Sequence, residues 1–257
     1  MKDAGDKSIS EIPLIHLLPN MLTIASICAG LSAIRFGVHG DYALAVKLVI
    51  AACVLDGLDG RIARLMRSDS KMGAELDSLA DFLNFGVAPP LIIYYWALQD
   101  MRSAAWIAVM VFAICCAMRL ARFNVATKAE AETGNATSSA YFSGVPSPAA
   151  ALLALLPMSI SFAFADSPIL PDIIICAHLL LVGWLMISRI PTWSFKKTRV
   201  SRKYAKFYLV GFAIIGAALL TYAWITLVVL CLAYVGSVLW CVAKTRPTDR
   251  PTLNEEP

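Results

Sequence analysis

The chain is short of charge. Of its 257 residues only 16% are Asp, Glu, Lys or Arg, while 59% are hydrophobic and the mean hydropathy is +0.69. Soluble domains carry roughly 25% charged residues, so a surface wetted on all sides is excluded. Histidine is scarce too: His16, His39 and His178 are scattered, which removes a zinc or iron centre built on imidazole. The seven cysteines form no Cys-x-x-Cys pair. They sit mostly inside apolar runs and read as small packing residues. No repeat of fixed period is present. The first eighteen residues, "MKDAGDKSISEIPLIHLL", are mixed and polar, and do not read as a secretory signal peptide.

Long apolar runs are what the chain has instead. A run of about 18 apolar residues is enough to cross a bilayer. Eight membrane helices are expected, at roughly 19–37, 42–64, 76–98, 104–124, 146–165, 170–189, 206–222 and 224–243. The last two need a break. As one helix, 207–243 would be about 55 Å long at 1.5 Å per residue, against a hydrocarbon core of about 30 Å. "TYAW" (Thr221 to Trp224) is the expected fold-back, with aromatic rings at the interface. With the N-terminus in the cytoplasm, only Arg35, Lys47 and Arg102 of the 22 basic residues fall outside cytoplasmic segments. The positive-inside rule therefore supports an even number of spans with both ends cytoplasmic. The stretch Lys128 to Gly144 reads as a mobile loop, and 246–257 as a disordered tail after one membrane domain over 1–245.

One polar stretch interrupts this pattern: "DGLDGRIARLMRSDSKMGAELDSLAD", Asp56 to Asp81. Asp56 and Asp59 share one helix face, and so do Asp77 and Asp81, because residues three or four apart are neighbours on a helix. Two adjacent helices can thus aim four carboxylates at one spot. Such groups repel strongly unless cations or protons intervene. Carboxylates alone suit hard ions such as magnesium, manganese or calcium, and four of them suit two ions, an arrangement fitted to phosphoryl chemistry. Gly57, Gly60 and Ala63 leave room for a ligand near the backbone. Gly73 is expected to release the chain into a tight turn, and Arg64 and Arg67 offer charge to a phosphate. A solvated helix end would explain one Asp pair, but not the whole pattern.

The pattern D-x2-D-G-x2-A-R-x8-G-x3-D-x3-D is fulfilled by Asp56, Asp59, Gly60, Ala63, Arg64, Gly73, Asp77 and Asp81. It resembles the signature of the CDP-alcohol phosphatidyltransferase family. The resemblance implies a divalent-metal membrane enzyme that moves a phosphatidyl or similar group from a CDP-linked donor to an alcohol and releases CMP. It further implies a homodimer with a six-helix core, here extended by a C-terminal helix pair, and no nucleic-acid partner. Two ions, Mg2+ or Mn2+, would lie among Asp56, Asp59, Asp77 and Asp81, with Asp81 as general base. CDP-diacylglycerol would bind near Gly60, Ala63, Arg64 and Gly73, with Asn20 as a further donor-site candidate.

"LPNMLT", "ELDSLADFLNFGVAP", "RLARFNV", "YFSGVPSPAAA" and "SRIPTWSFKK" are similar to the integral-membrane branch of that family that uses L-serine. Asn84 departs from it, since serine is expected there in many members. Arg119 and Arg122, one helical turn apart, are candidates for the serine carboxylate, with Asn124 as a neutral partner and Ser143 and Arg189 next in line. The basic run Lys196 to Lys206 reads as a contact to anionic headgroups. The resemblance places the enzyme in the plasma (inner) membrane with its site facing the cytoplasm. The competing readings are another acceptor (glycerol 3-phosphate, inositol phosphate or choline) and a cation transporter lined with carboxylates.

Overall fold

The computed structural model describes residues 17–66, 71–133, 141–165, 168–188, 190–193 and 205–244. Helix α1 (Leu18–Val38) and helix α2 (Tyr42–Met66) form an antiparallel hairpin turned at Gly40. Helix α3 (Lys71–Asp81), a π-helical segment (Phe82–Val87) and helix α4 (Ala88–Ala97) make one continuous rod. Then follow α5 (Arg102–Thr133), α6 (Ser147–Ala154), α7 (Leu156–Phe164), α8 (Asp172–Ile187), α9 (Ala205–Thr221) and α10 (Ala223–Lys244).

Each apolar run expected to be a helix is helical. By length and hydropathy, residues 18–38, 72–97, 102–129 and 223–243 can each cross a membrane, and the pair α6–α7, bent by 42°, makes a fifth candidate. The expectation of eight spans is therefore met only in part; α8, for one, is apolar but has 16 residues. The bend between α6 and α7 falls where Pro157 cannot donate to the carbonyl four residues back. The break between α9 and α10 is the single residue Tyr222, inside the expected "TYAW".

Three details differ from expectation. The fold is not wholly helical: β1 (Tyr141–Ser143) pairs antiparallel with β2 (Pro191–Trp193). Gly144 ends β1 at φ 84°, and a Cβ there would stand 2.5 Å from the Met186 carbonyl oxygen, so only glycine fits. Helix α5 runs on to Thr133, so residues 128–133 of the expected loop are helical. Ala and Glu there are good helix formers, and Lys128 reaches Glu75 on α3 at 2.9 Å. Finally, Gly73 makes no turn. It lies within α3, and residues 67–70, Arg67 among them, lie outside the described residues.

Small residues on α1 position the rod. Thr23, Ser26, Gly30, Ala33 and Gly37 recur every three or four positions and are buried. At Gly37 a Cβ would come within 3.1 Å of Ile92, and at Gly30 within 2.0 Å of Asn84 Oδ1. Such a stripe lets helices approach closely where apolar burial alone gives no drive in lipid. On the far side α5 packs on α8, with Phe112 against Gly183. Helix α10 packs on α7, α6 and β2, and Trp224 meets Phe162 at 4.8 Å between ring centres.

Candidate active site

Asp56 and Asp59 project from α2, and Asp77 and Asp81 from α3. The carboxylate oxygens of Asp56, Asp59 and Asp77 lie within 4.8 Å of one another, with Asp59 buried and Asp77 the most open. The Asp81 carboxyl lies beside that of Asp56. Thr23 on α1 donates to Asp59 Oδ2 at 2.7 Å. Asp59 Oδ1 and Asp81 Oδ1 are buried and receive no hydrogen bond. Ionised carboxylates are acceptors only, so these orphan oxygens cannot satisfy one another and are suited to cations. The donor set, oxygen throughout, fits Mg2+ or Mn2+.

The rod is shaped at this point. The prolines at 89 and 90 cannot donate to the carbonyls four residues before them. Immediately ahead, the helix widens, and the Ala88 N–H bonds to the Leu83 carbonyl. This π turn begins directly after Asp81, a common placement near functional sites. It directs Asn84 at α1, where Nδ2 donates to Ser26 Oγ at 3.3 Å, and Ser26 Oγ donates to the Thr23 carbonyl at 2.8 Å. The departure at Asn84 is therefore a packing feature that braces the strip holding Asp59. Sequence reasoning did not single out Thr23 or Ser26; only the "LPNMLT" resemblance touched Thr23.

The remaining candidates separate. Arg119 is half-buried on α5 and donates through Nη1 to Ser147 Oγ on α6. It lies within electrostatic range of Asp81, and its Nε is buried without a partner. Arg122, one turn on, is exposed and donates to the Ile187 carbonyl at the end of α8 at 3.2 Å. Asn124 Nδ2 donates to Ser78 Oγ on α3 at 2.9 Å, tying α5 to the aspartate helix. Arg64 is exposed but within electrostatic range of Asp77. Gly60 and Ala63 are half-buried beside it, and Gly57 has open space where a Cβ would stand. Asn20 lies one turn before Thr23 and is half-buried. The Ser143 backbone pairs with Pro191. Arg189 and residues 194–204, with most of the basic run, lie outside the described residues.

The family model for CDP-alcohol phosphatidyltransferase matches residues 16–186. The chain is 34% identical over 232 residues to the CDP-diacylglycerol–serine O-phosphatidyltransferase of Mycobacterium leprae, covering 90% of this chain and 76% of that protein. It is 37% identical over 190 residues to the protein of the same name from Helicobacter pylori, covering 74% and 77%. A third, from Bacillus subtilis, is 32% identical over 71% of this chain and 93% of its own length. The matched region carries all four aspartates together with Arg119 and Arg122, and ends one residue before α8 does. The chain belongs to the CDP-alcohol phosphatidyltransferase family.

Proposed function

We propose that the protein transfers the phosphatidyl group of CDP-diacylglycerol to L-serine, giving phosphatidylserine and CMP. The observation that carries the serine reading is Arg119, half-buried on α5 and within electrostatic range of Asp81. One end of a small amino acid needs a guanidinium for its carboxylate. The other needs an oxygen acceptor for its hydroxyl proton. Arg119 and Asp81, within electrostatic range of each other, offer the two. One buried guanidinium also matches the single charge of a carboxylate better than a phosphorylated acceptor. The names of the three relatives support the same choice.

Two divalent ions, Mg2+ or Mn2+, held by Asp56, Asp59, Asp77 and Asp81, supply neutralisation of the donor diphosphate when bound. Asp81 Oδ1, with no donor of its own, accepts the proton of the serine hydroxyl. The serine oxygen forms its bond to the phosphorus bearing diacylglycerol, and the bond to the CMP oxygen breaks. Gly57, Gly60 and Ala63 leave a low surface on α2 for the cytidine diphosphate, with Arg64 beside it and Asn20 facing from α1. By family resemblance the protein is an eight-span homodimer of the plasma (inner) membrane; its site and both ends face the cytoplasm in this reading, an orientation supported by the placement of its basic residues.

Steady-state kinetics of two conservative variants test the acceptor assignment. Arg119→Lys removes a charge-assisted bond of roughly 1.5–3 kcal/mol and is expected to raise the serine KM by about 10- to 150-fold. The KM for CDP-diacylglycerol changes little. Arg122→Lys, which touches a helix end, leaves serine KM within about 3-fold of wild type. Wild-type serine dependence in Arg119→Lys would place the acceptor elsewhere.

A further inference from the structure

Among the described residues, two buried donors have no hydrogen-bond partner. One is Arg119 Nε and the other is the Tyr234 hydroxyl. Tyr234 belongs to α10, beyond residues 16–186 that match the family model. It lies within electrostatic range of Arg119 without a hydrogen bond to it. Helix α10 is fixed here. One turn before Tyr234, Cys231 Sγ contacts the Leu152 carbonyl on α6 at 3.5 Å, and α6 also carries Ser147, the partner of Arg119. A buried polar group without a partner is costly and uncommon. Two together, both able to donate, describe a place for an acceptor-rich ligand. The polarity reverses across the site: beside Asp81 the orphans are carboxylate oxygens, and beside Arg119 they are donors. Cations satisfy the first set, and an anionic group satisfies the second.

We propose that Tyr234 is a specificity-determining residue for the acceptor, its hydroxyl donating to the α-carboxylate of the amino acid held by Arg119. This rests on the placement of the acceptor at Arg119. A carboxylate offers about four lone-pair sites, enough for a guanidinium and a phenol together. The phenol adds geometric selection, since it turns about two side-chain torsions only and its ring is held by packing. The C-terminal helix pair thus contributes a substrate contact.

The test compares Tyr234→Phe, Arg119→Lys and wild type, purified as full chains, with serine and CDP-diacylglycerol varied separately. Tyr234→Phe keeps the ring and removes only the hydroxyl. The expected result is a rise in serine KM of about 10-fold or more, with the KM for CDP-diacylglycerol and kcat within about 2-fold of wild type. L-serine amide, which lacks the carboxylate charge, is expected to show a much smaller difference between Tyr234→Phe and wild type. An unchanged serine KM in Tyr234→Phe, alongside a raised one in Arg119→Lys, would overturn the role of Tyr234 and leave the Arg119 placement standing. No change in either variant would overturn both. An equal rise in both substrates' KM would mark Tyr234 as a packing residue and likewise overturn the proposal.

Discussion

Asp59 has a fixed donor in Thr23. The Thr23 hydroxyl holds Oδ2, while the buried Oδ1 has no hydrogen-bond partner. Asp59→Asn replaces a bare acceptor with a donor in a place built for cations. It is expected to weaken Mn2+ binding by at least 10-fold and to abolish turnover, as read by calorimetric titration and CMP release. Asp81→Asn is expected to abolish turnover as well, yet to retain much of the binding of CDP-diacylglycerol with a smaller loss of metal affinity, because a base serves the chemistry more than the donor affinity. Substantial turnover by Asp81→Asn at neutral pH would end its assignment as base. The aspartates were legible in the sequence because spacings of three and four fix a shared helix face. Arg119 and Arg122 were not separable that way. Their difference lies in Ser147 and the Ile187 carbonyl, residues 28 and 65 positions further along the chain. Tyr234 had no local signal at all.

Among the elements, α1 and the rod from Lys71 to Ala97 depend on a close approach. Their contact is a glycine against a buried amide: a Cβ at Gly30 would stand 2.0 Å from Asn84 Oδ1, and Asn84 is fully buried and has no room to swing. Gly30→Ala is therefore expected to destabilise the protein by about 1–3 kcal/mol through overpacking. Gly57, in the signature stretch of α2, has open space at the same position. Gly57→Ala is expected to leave stability unchanged or raise it by up to about 1 kcal/mol through helix propensity. Thermal unfolding in detergent separates the two, and equal melting temperatures for both variants would contradict this account of the packing. Hydropathy revealed the helices because lipid demands long apolar runs. It concealed the π turn after Asp81, since one extra residue in a turn leaves composition unchanged. It concealed the β1–β2 pairing for a different reason: two three-residue strands, about 50 positions apart, have too little periodicity to read.

Over the whole molecule, charge is sparse, and its placement organises the rest. The acidic cluster shares α2 with Arg61 and Arg64, and Arg119 of α5 is within electrostatic range of it, an arrangement in which donor headgroup, soluble acceptor and metal would meet in one place. A conduction path would instead distribute its carboxylates across the membrane. The matched core supplies the aspartates and Arg119, while α10 closes against it. The central claim is the reaction itself. Its most direct test is CMP release by the purified chain given CDP-diacylglycerol, with L-serine, glycerol 3-phosphate, inositol phosphate and choline offered separately, with and without Mg2+ or Mn2+. The account predicts release that requires both the divalent ion and L-serine, with phosphatidylserine formed in equal amount. Release driven as well or better by another acceptor, or undiminished by removal of the metal, would contradict it.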